Sequence, residues 1–184
     1  MTAIQPWSRS DQYPYTIYLQ GGLSGPLKHY VQAPHLPEPL SAGWDHAGAI
    51  QVIRQQQRID AIASALYRGR DSGATIDVDG IAAPPTGYYV SVEGAERVVA
   101  TEAITWDVIR QYVADYLVDA ADYGLYLGLW CDGERVYLDL TDRHDTLYRA
   151  AEAARTHGQQ AIYYADAGVV LPTTIGGGGS NEKQ

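Results

Sequence analysis

Residues 125–143 read LYLGLWCDGERVYLDLTDR, and the pairing of this stretch with itself decides the fold. Asp132-Gly133 is the dipeptide of a two-residue, type I′ hairpin turn. Closing the hairpin on it sets Cys131 opposite Glu134, Trp130 opposite Arg135, Leu129 opposite Val136, Gly128 opposite Tyr137, Leu127 opposite Leu138 and Tyr126 opposite Asp139. Side chains alternate along a strand, so Leu125, Leu127, Leu129, Cys131, Val136, Leu138 and Leu140 share one face, a core face. The other face carries Tyr126, Gly128, Trp130, Arg135, Tyr137 and Asp139. On that pairing Arg135 lies over Trp130, Tyr137 covers the bare backbone of Gly128, and Asp139 meets the Tyr126 hydroxyl. The acidic residues thus have separate structural roles. Asp132 forms the turn, and Asp142 is expected to cap the following helix with Asp145 at its third position.

Helical periodicity flanks the hairpin on both sides. Upstream, Val108, Ile109, Tyr112, Val113, Tyr116 and Leu117 form one apolar face, Thr105 offers an N-cap and Gly124 a stop. Downstream, Leu147, Ala150, Ala151 and Ala154 are spaced i, i+3, i+4, i+7, with Gly158 ending the helix. A third amphipathic pattern starts at Ala49, with Arg54, Gln55, Gln57, Arg58 and Arg68 on its outer side. Helices are expected near 49–67, 106–121 and 143–157, covering one face of a mostly antiparallel sheet: an α+β fold.

Among the remaining strands, 15–20 reads as a short one. Tyr88–Val92 and Ala95–Val99 are expected to form a hairpin about Glu93-Gly94, and a last pair is expected to turn near 166–168 and stop at Pro172. "IDVDG", Ile76–Gly80, lacks the ligand spacing of a calcium loop and reads as a turn. Residues 21–48, rich in Gly and Pro, are expected to be irregular. The domain reading is therefore a loose arm over 1–14, one α+β domain over 15–174 and a flexible tail over 175–184.

Composition limits the functions. The 184 residues carry a net charge of −9, which disfavours direct binding to nucleic acid. A single cysteine, Cys131, excludes an internal disulfide and fits a reducing cytoplasm. No signal-peptide pattern opens the chain, and no apolar run nears the ~18–20 residues of a membrane span. The five histidines show no HExxH or paired metal spacing. His29, His35 and His46, with Asp45, share one segment but match no common structural zinc site, so neither metal nor cofactor is expected. No phosphate-binding glycine loop or Gly-x-Ser-x-Gly elbow occurs.

The pieces Gly128-x-Trp130, Val136–Asp139, the alanine helix and Gly158-Gln159-x-Ala161-Ile162-Tyr163, with PPTGYYVSVEG at 84–94, resemble small uncharacterised proteins of actinobacterial phages and mobile elements. The resemblance spans mainly 84–94 and 126–172. It implies a source, with the host cytoplasm as location, and carries no residue roles. The leading expectation is a non-enzymatic accessory protein that binds a host or viral protein, for instance to inhibit a host defence. Its contact face would be Tyr126, Trp130, Arg135, Tyr137 and Asp139, since Tyr and Trp are enriched at interfaces. A virion-associated or assembly component is one alternative. An enzyme with an unfamiliar site around Tyr137, Asp139 and Gln160 is another.

Overall fold

The computed structural model describes residues 15–20, 28–43 and 46–173. The expected arm over 1–14, the tail over 175–184 and Asp45 lie outside them. The described residues form an α+β structure with three helices and antiparallel sheets. Two compact units result, residues 1–60 and 61–184. The boundary falls inside helix α1 (His46–Arg68), where the sequence reading drew none.

In the first unit, β1 (Thr16–Gln20), β2 (Lys28–Gln32) and β3 (Leu40–Ser41) form an antiparallel sheet in that order. The expectation of an irregular 21–48 fails at β2 and β3. Pro26 and Pro34 bracket a proline-free run with Tyr30 and Val31, and β1 supplies its partner, Ile17 facing Val31. Ile17, Val31, Ala33 and Leu36 pack with Ala49 and Ile53 of α1. Asp60 is buried in this unit, where its carboxylate accepts from the Tyr15 hydroxyl and lies 3.5 Å from His35 Nε2.

The second unit is organised by β8 (Arg135–His144). Strand β7 (Tyr126–Cys131) runs along one edge of β8, and β4 (Ala74–Ile76) pairs with β7 beyond it. The other edge of β8 is shared. β6 (Arg97–Ala100) takes residues 135–138 and β5 (Tyr88–Ser91) takes 141–144. Strands β9 (Ala161–Tyr164) and β10 (Val169–Pro172) extend the sheet from β5. The expected hairpin of 88–92 on 95–99 does not form. β5 and β6 lie end to end on β8 instead, with the Val92 N–H donating to the Leu140 carbonyl. A ten-residue edge accommodates both segments and buries Val90 fully.

Helices α2 (Trp106–Tyr123) and α3 (Leu147–Thr156) pack on the sheet face that carries Leu138. Arg97 is in register with Leu138 and pairs with Asp115 of α2 at 2.8 Å. Val90, in register with Asp142, packs with Ala150 and Ala154 of α3, whose small side chains permit close approach. At the start of α2, the Trp106 indole N–H donates to the Ser64 hydroxyl of α1 at 3.2 Å. The expected cap of α2 is present: the Thr105 hydroxyl accepts from the Val108 N–H at 3.3 Å, and Gly124 closes the helix at φ 66°. Thr105→Ala should therefore lower stability by about 1 kcal/mol, measured by denaturant unfolding; an unchanged midpoint would mean that solvent replaces the cap.

The start of the third helix needs correction. Strand β8 continues through Arg143 and His144 because Tyr89 and Tyr88 pair with them, and Thr146 is the cap, accepting from the Arg149 N–H. Asp142 lies 3.3 Å from His144 Nε2 instead, and Asp145 pairs with Arg143 at 2.8 Å.

Candidate functional site

The β7–β8 hairpin keeps the expected faces but not the expected partners. Leu129 faces Leu138 where Val136 was expected, a slip of two residues. A slip of two returns every side chain to the same face, since strands alternate with period two. Leu127, Leu129, Val136, Leu138 and Leu140 are accordingly all buried. The cause of the slip is the turn. The Asp132 carboxylate accepts from the Glu134 and Arg135 N–H groups at 3.0 and 2.8 Å. The Asp132 N–H donates to the Arg135 carbonyl, so Asp132 begins an Asx turn whose tip is Gly133-Glu134, one residue later than expected, with Gly133 at φ 102°. Cys131, expected in the core, is half-buried beside this loop, where its Sγ accepts from the Gly133 N–H.

The slip rearranges the aromatic face. Trp130 faces Tyr137 and stacks on it, ring centroids 4.1 Å apart and planes 8° from parallel. Arg135 faces Ala100 of β6 rather than lying over Trp130. The Tyr137 hydroxyl donates to Asp132 Oδ2 at 3.0 Å. The Arg135 N–H foremost, then the Glu134 N–H and this hydroxyl, hold the Asp132 carboxyl below its ordinary range, while its acceptance of the Tyr137 proton holds that phenol above its own. The turn carboxylate thus fixes the ring on which Trp130 rests. Trp130 is still 46% exposed.

Further along the same face, the surface closes. Asp139 faces Gly128, so the carboxylate lies over the glycine backbone that Tyr137 was expected to cover. Asp139 is buried, and it accepts from the Ser91 hydroxyl at 2.5 Å and from the Thr141 hydroxyl at 3.5 Å. Burial pushes its carboxyl up to about 6, against the Ser91 hydrogen bond and with the help of the nearby Glu96 charge. Tyr126 faces Thr141, and its ring meets the Tyr89 ring edge-on at 5.7 Å. The five expected contact residues therefore divide. Trp130 and Arg135 are exposed and Tyr137 is half-buried, whereas Tyr126 packs against Tyr89 and Asp139 is enclosed.

The catalytic alternative gains no geometric support. The Tyr137 hydroxyl is engaged by Asp132, Asp139 is buried, and Gln160 precedes β9, which β5 separates from β8. The residues missed from sequence are Ser91, Thr141 and Gly73. Ser91 comes to Asp139 by pairing and Gly73 comes beside Trp130 through β4, so no local pattern marks these two; Thr141 lies two residues from Asp139 in β8, and strand alternation could have found it.

Among the described residues, no three His, Cys, Asp or Glu side chains gather as a metal-binding group. His29 and His46 approach with ring centroids 6.0 Å apart. No described helix is long and apolar enough to cross a membrane. Comparison with protein-family models, curated proteins and solved structures finds no match, so no residue role is carried over from another protein.

Proposed function

We propose that the protein is a non-enzymatic binding protein that docks on a partner protein through the open end of the β7–β8 hairpin. The observation that carries this reading is Trp130. It is nearly half exposed, yet held in one orientation by stacking on a tyrosine that the turn carboxylate itself fixes. A large ring that is already ordered loses little entropy on binding, and Trp and Tyr dominate interface energetics. In line with the resemblance to phage and mobile-element proteins, the partner would be a host or viral protein in the host cytoplasm.

The test is affinity capture from an actinobacterial lysate with three baits: wild type, Trp130→Ala, and Tyr148→Ala as an exposed aromatic control on α3. Wild type and Tyr148→Ala should capture the same protein. Trp130→Ala should weaken that capture by about 30-fold, the equivalent of a 2 kcal/mol hot spot. Its unfolding free energy should fall by well under the ~3–5 kcal/mol of a truncated core Trp. Capture indifferent to Trp130→Ala would overturn the reading.

A further inference from the structure

We infer that the partner presents an arginine side chain whose guanidinium lies flat on the open face of the Trp130 indole. This rests on the binding reading above and assigns the chemistry of the partner. The starting point is an asymmetry around the ring. On the β8 side Trp130 is covered by Tyr137 at 4.1 Å. On the β4 side, Ala74 faces Leu129, and the residue beside Trp130 is Gly73. Gly73 has φ 88°, and a Cβ there would meet Trp130 Cβ at 4.0 Å, ordinary contact distance. Gly73 places no side chain beside the indole on this flank. A planar group can therefore rest on the ring over the glycine backbone.

Guanidinium groups, nucleobases and further aromatic rings are all flat, and the surrounding charge separates them. Asp71 lies in the turn that leads to Gly73, with its side chain 81% exposed. Asp132 and Glu134 form the exposed hairpin tip, and Glu102 is exposed next to Thr101, whose N–H donates to the Glu134 carbonyl. Among the described residues beside these carboxylates the cations are Arg135 and Arg70, the latter placed over the Tyr67 ring at 4.4 Å and 3.9 Å from the exposed Asp71 carboxylate. Four carboxylates against two guanidiniums leave the surroundings of the ring anionic, as is the whole chain at −9. A nucleobase would bring its phosphates into that field and be repelled. A guanidinium gains from it, because Trp is the best cation–π ring and Arg binds carboxylates through a planar fork. Lys has neither the plane nor the fork, and its ammonium is more strongly hydrated.

The experiment uses the full chain and fluorescein-labelled probes read by anisotropy: a peptide of alternating Arg and Gly, its Lys and Glu counterparts, and a mixed-sequence single-stranded oligonucleotide. The Arg peptide should bind, the Lys peptide about tenfold more weakly, and the Glu peptide and oligonucleotide not measurably. Added salt should weaken the Arg complex. Trp130→Ala and the charge reversal Asp71→Lys should each weaken it about tenfold or more; Asp71 is too exposed for misfolding to explain its effect. Binding of the Arg peptide no tighter than the Glu peptide, binding indifferent to both substitutions, or an equally tight oligonucleotide would each overturn the assignment. Partner capture that depends on Trp130 but ignores salt and Asp71→Lys would remove the arginine and leave the binding reading intact. Capture indifferent to Trp130 would remove both.

Discussion

Near neutral pH, Asp139→Asn is expected to be more stable than the wild type by about 2–3 kcal/mol, and the advantage should disappear in acid. The folded chain keeps the Asp139 proton up to about pH 6, whereas the unfolded chain releases it near 3.8. Between those values the native state binds more protons, so stability falls as pH rises through the window. The whole cost is present above it and absent below it. The difference between those two values corresponds to about 3 kcal/mol. Asparagine has the same shape and can exchange hydrogen bonds with Ser91 and Thr141, but carries no charge to bury. Urea unfolding of both proteins across this range is the measurement. Two pH–stability curves that run parallel would show that Asp139 does not titrate in that window.

Gly128→Ala should cost about 1–3 kcal/mol, the usual consequence of overfilling a packed site. The added Cβ would fall 2.1 Å from Asp139 Oδ1 and 3.0 Å from Thr141 Oγ1. The carboxylate is held by Ser91 and is buried, so it has little freedom to swing aside. The same substitution in an Asp139→Ala background should cost much less, because the nearest colliding atom is gone and only Thr141 Oγ1 at 3.0 Å still crowds the new Cβ. A double-mutant cycle measures the coupling. Strictly additive effects would mean that the glycine is required for its backbone and not for the space it leaves.

These two residues show where sequence reasoning stops. Gly128 and Asp139 were both placed on the face opposite the leucines, but not opposite each other. Face membership depends only on parity, and alternation along 125–140 carries it. Partner identity depends on register, and register was set by the Asp132 carboxylate capping two backbone N–H groups. Asp-Gly is common to both turn types, so the dipeptide alone does not separate them. Helices were more legible, since 3.6-residue periodicity, the Thr105 cap and the closing glycines Gly124 and Gly158 are local signals. The start of α3 was misplaced because strand β8 persists through His144 only by virtue of β5, more than fifty residues earlier. The partners of β5 and β6 were misjudged for the same reason: Glu93-Gly94 is a turn signal, but a long strand made later offers both segments an edge. Trp130 was legible as an aromatic on the open face. Its bare second flank was not, because Gly73 reaches it from another strand.

Strands β5, β6 and β7 all hydrogen-bond to β8, and β8 comes after the three of them in the chain. This fixes an order of events during synthesis. A chain growing on the ribosome makes residues 88–100 and 126–131 before the segment that joins them exists; β7 already has β4 for one edge, but the edges that meet β8 stay unsatisfied until 135–144 emerges. Local helices such as α2 can form in the meantime, whereas the sheet closes late, around β8 first and then by addition of β9 and β10 to β5. A nascent chain arrested before β8 clears the exit tunnel should therefore be an easy target for proteases and chaperones, and one arrested well after it should not.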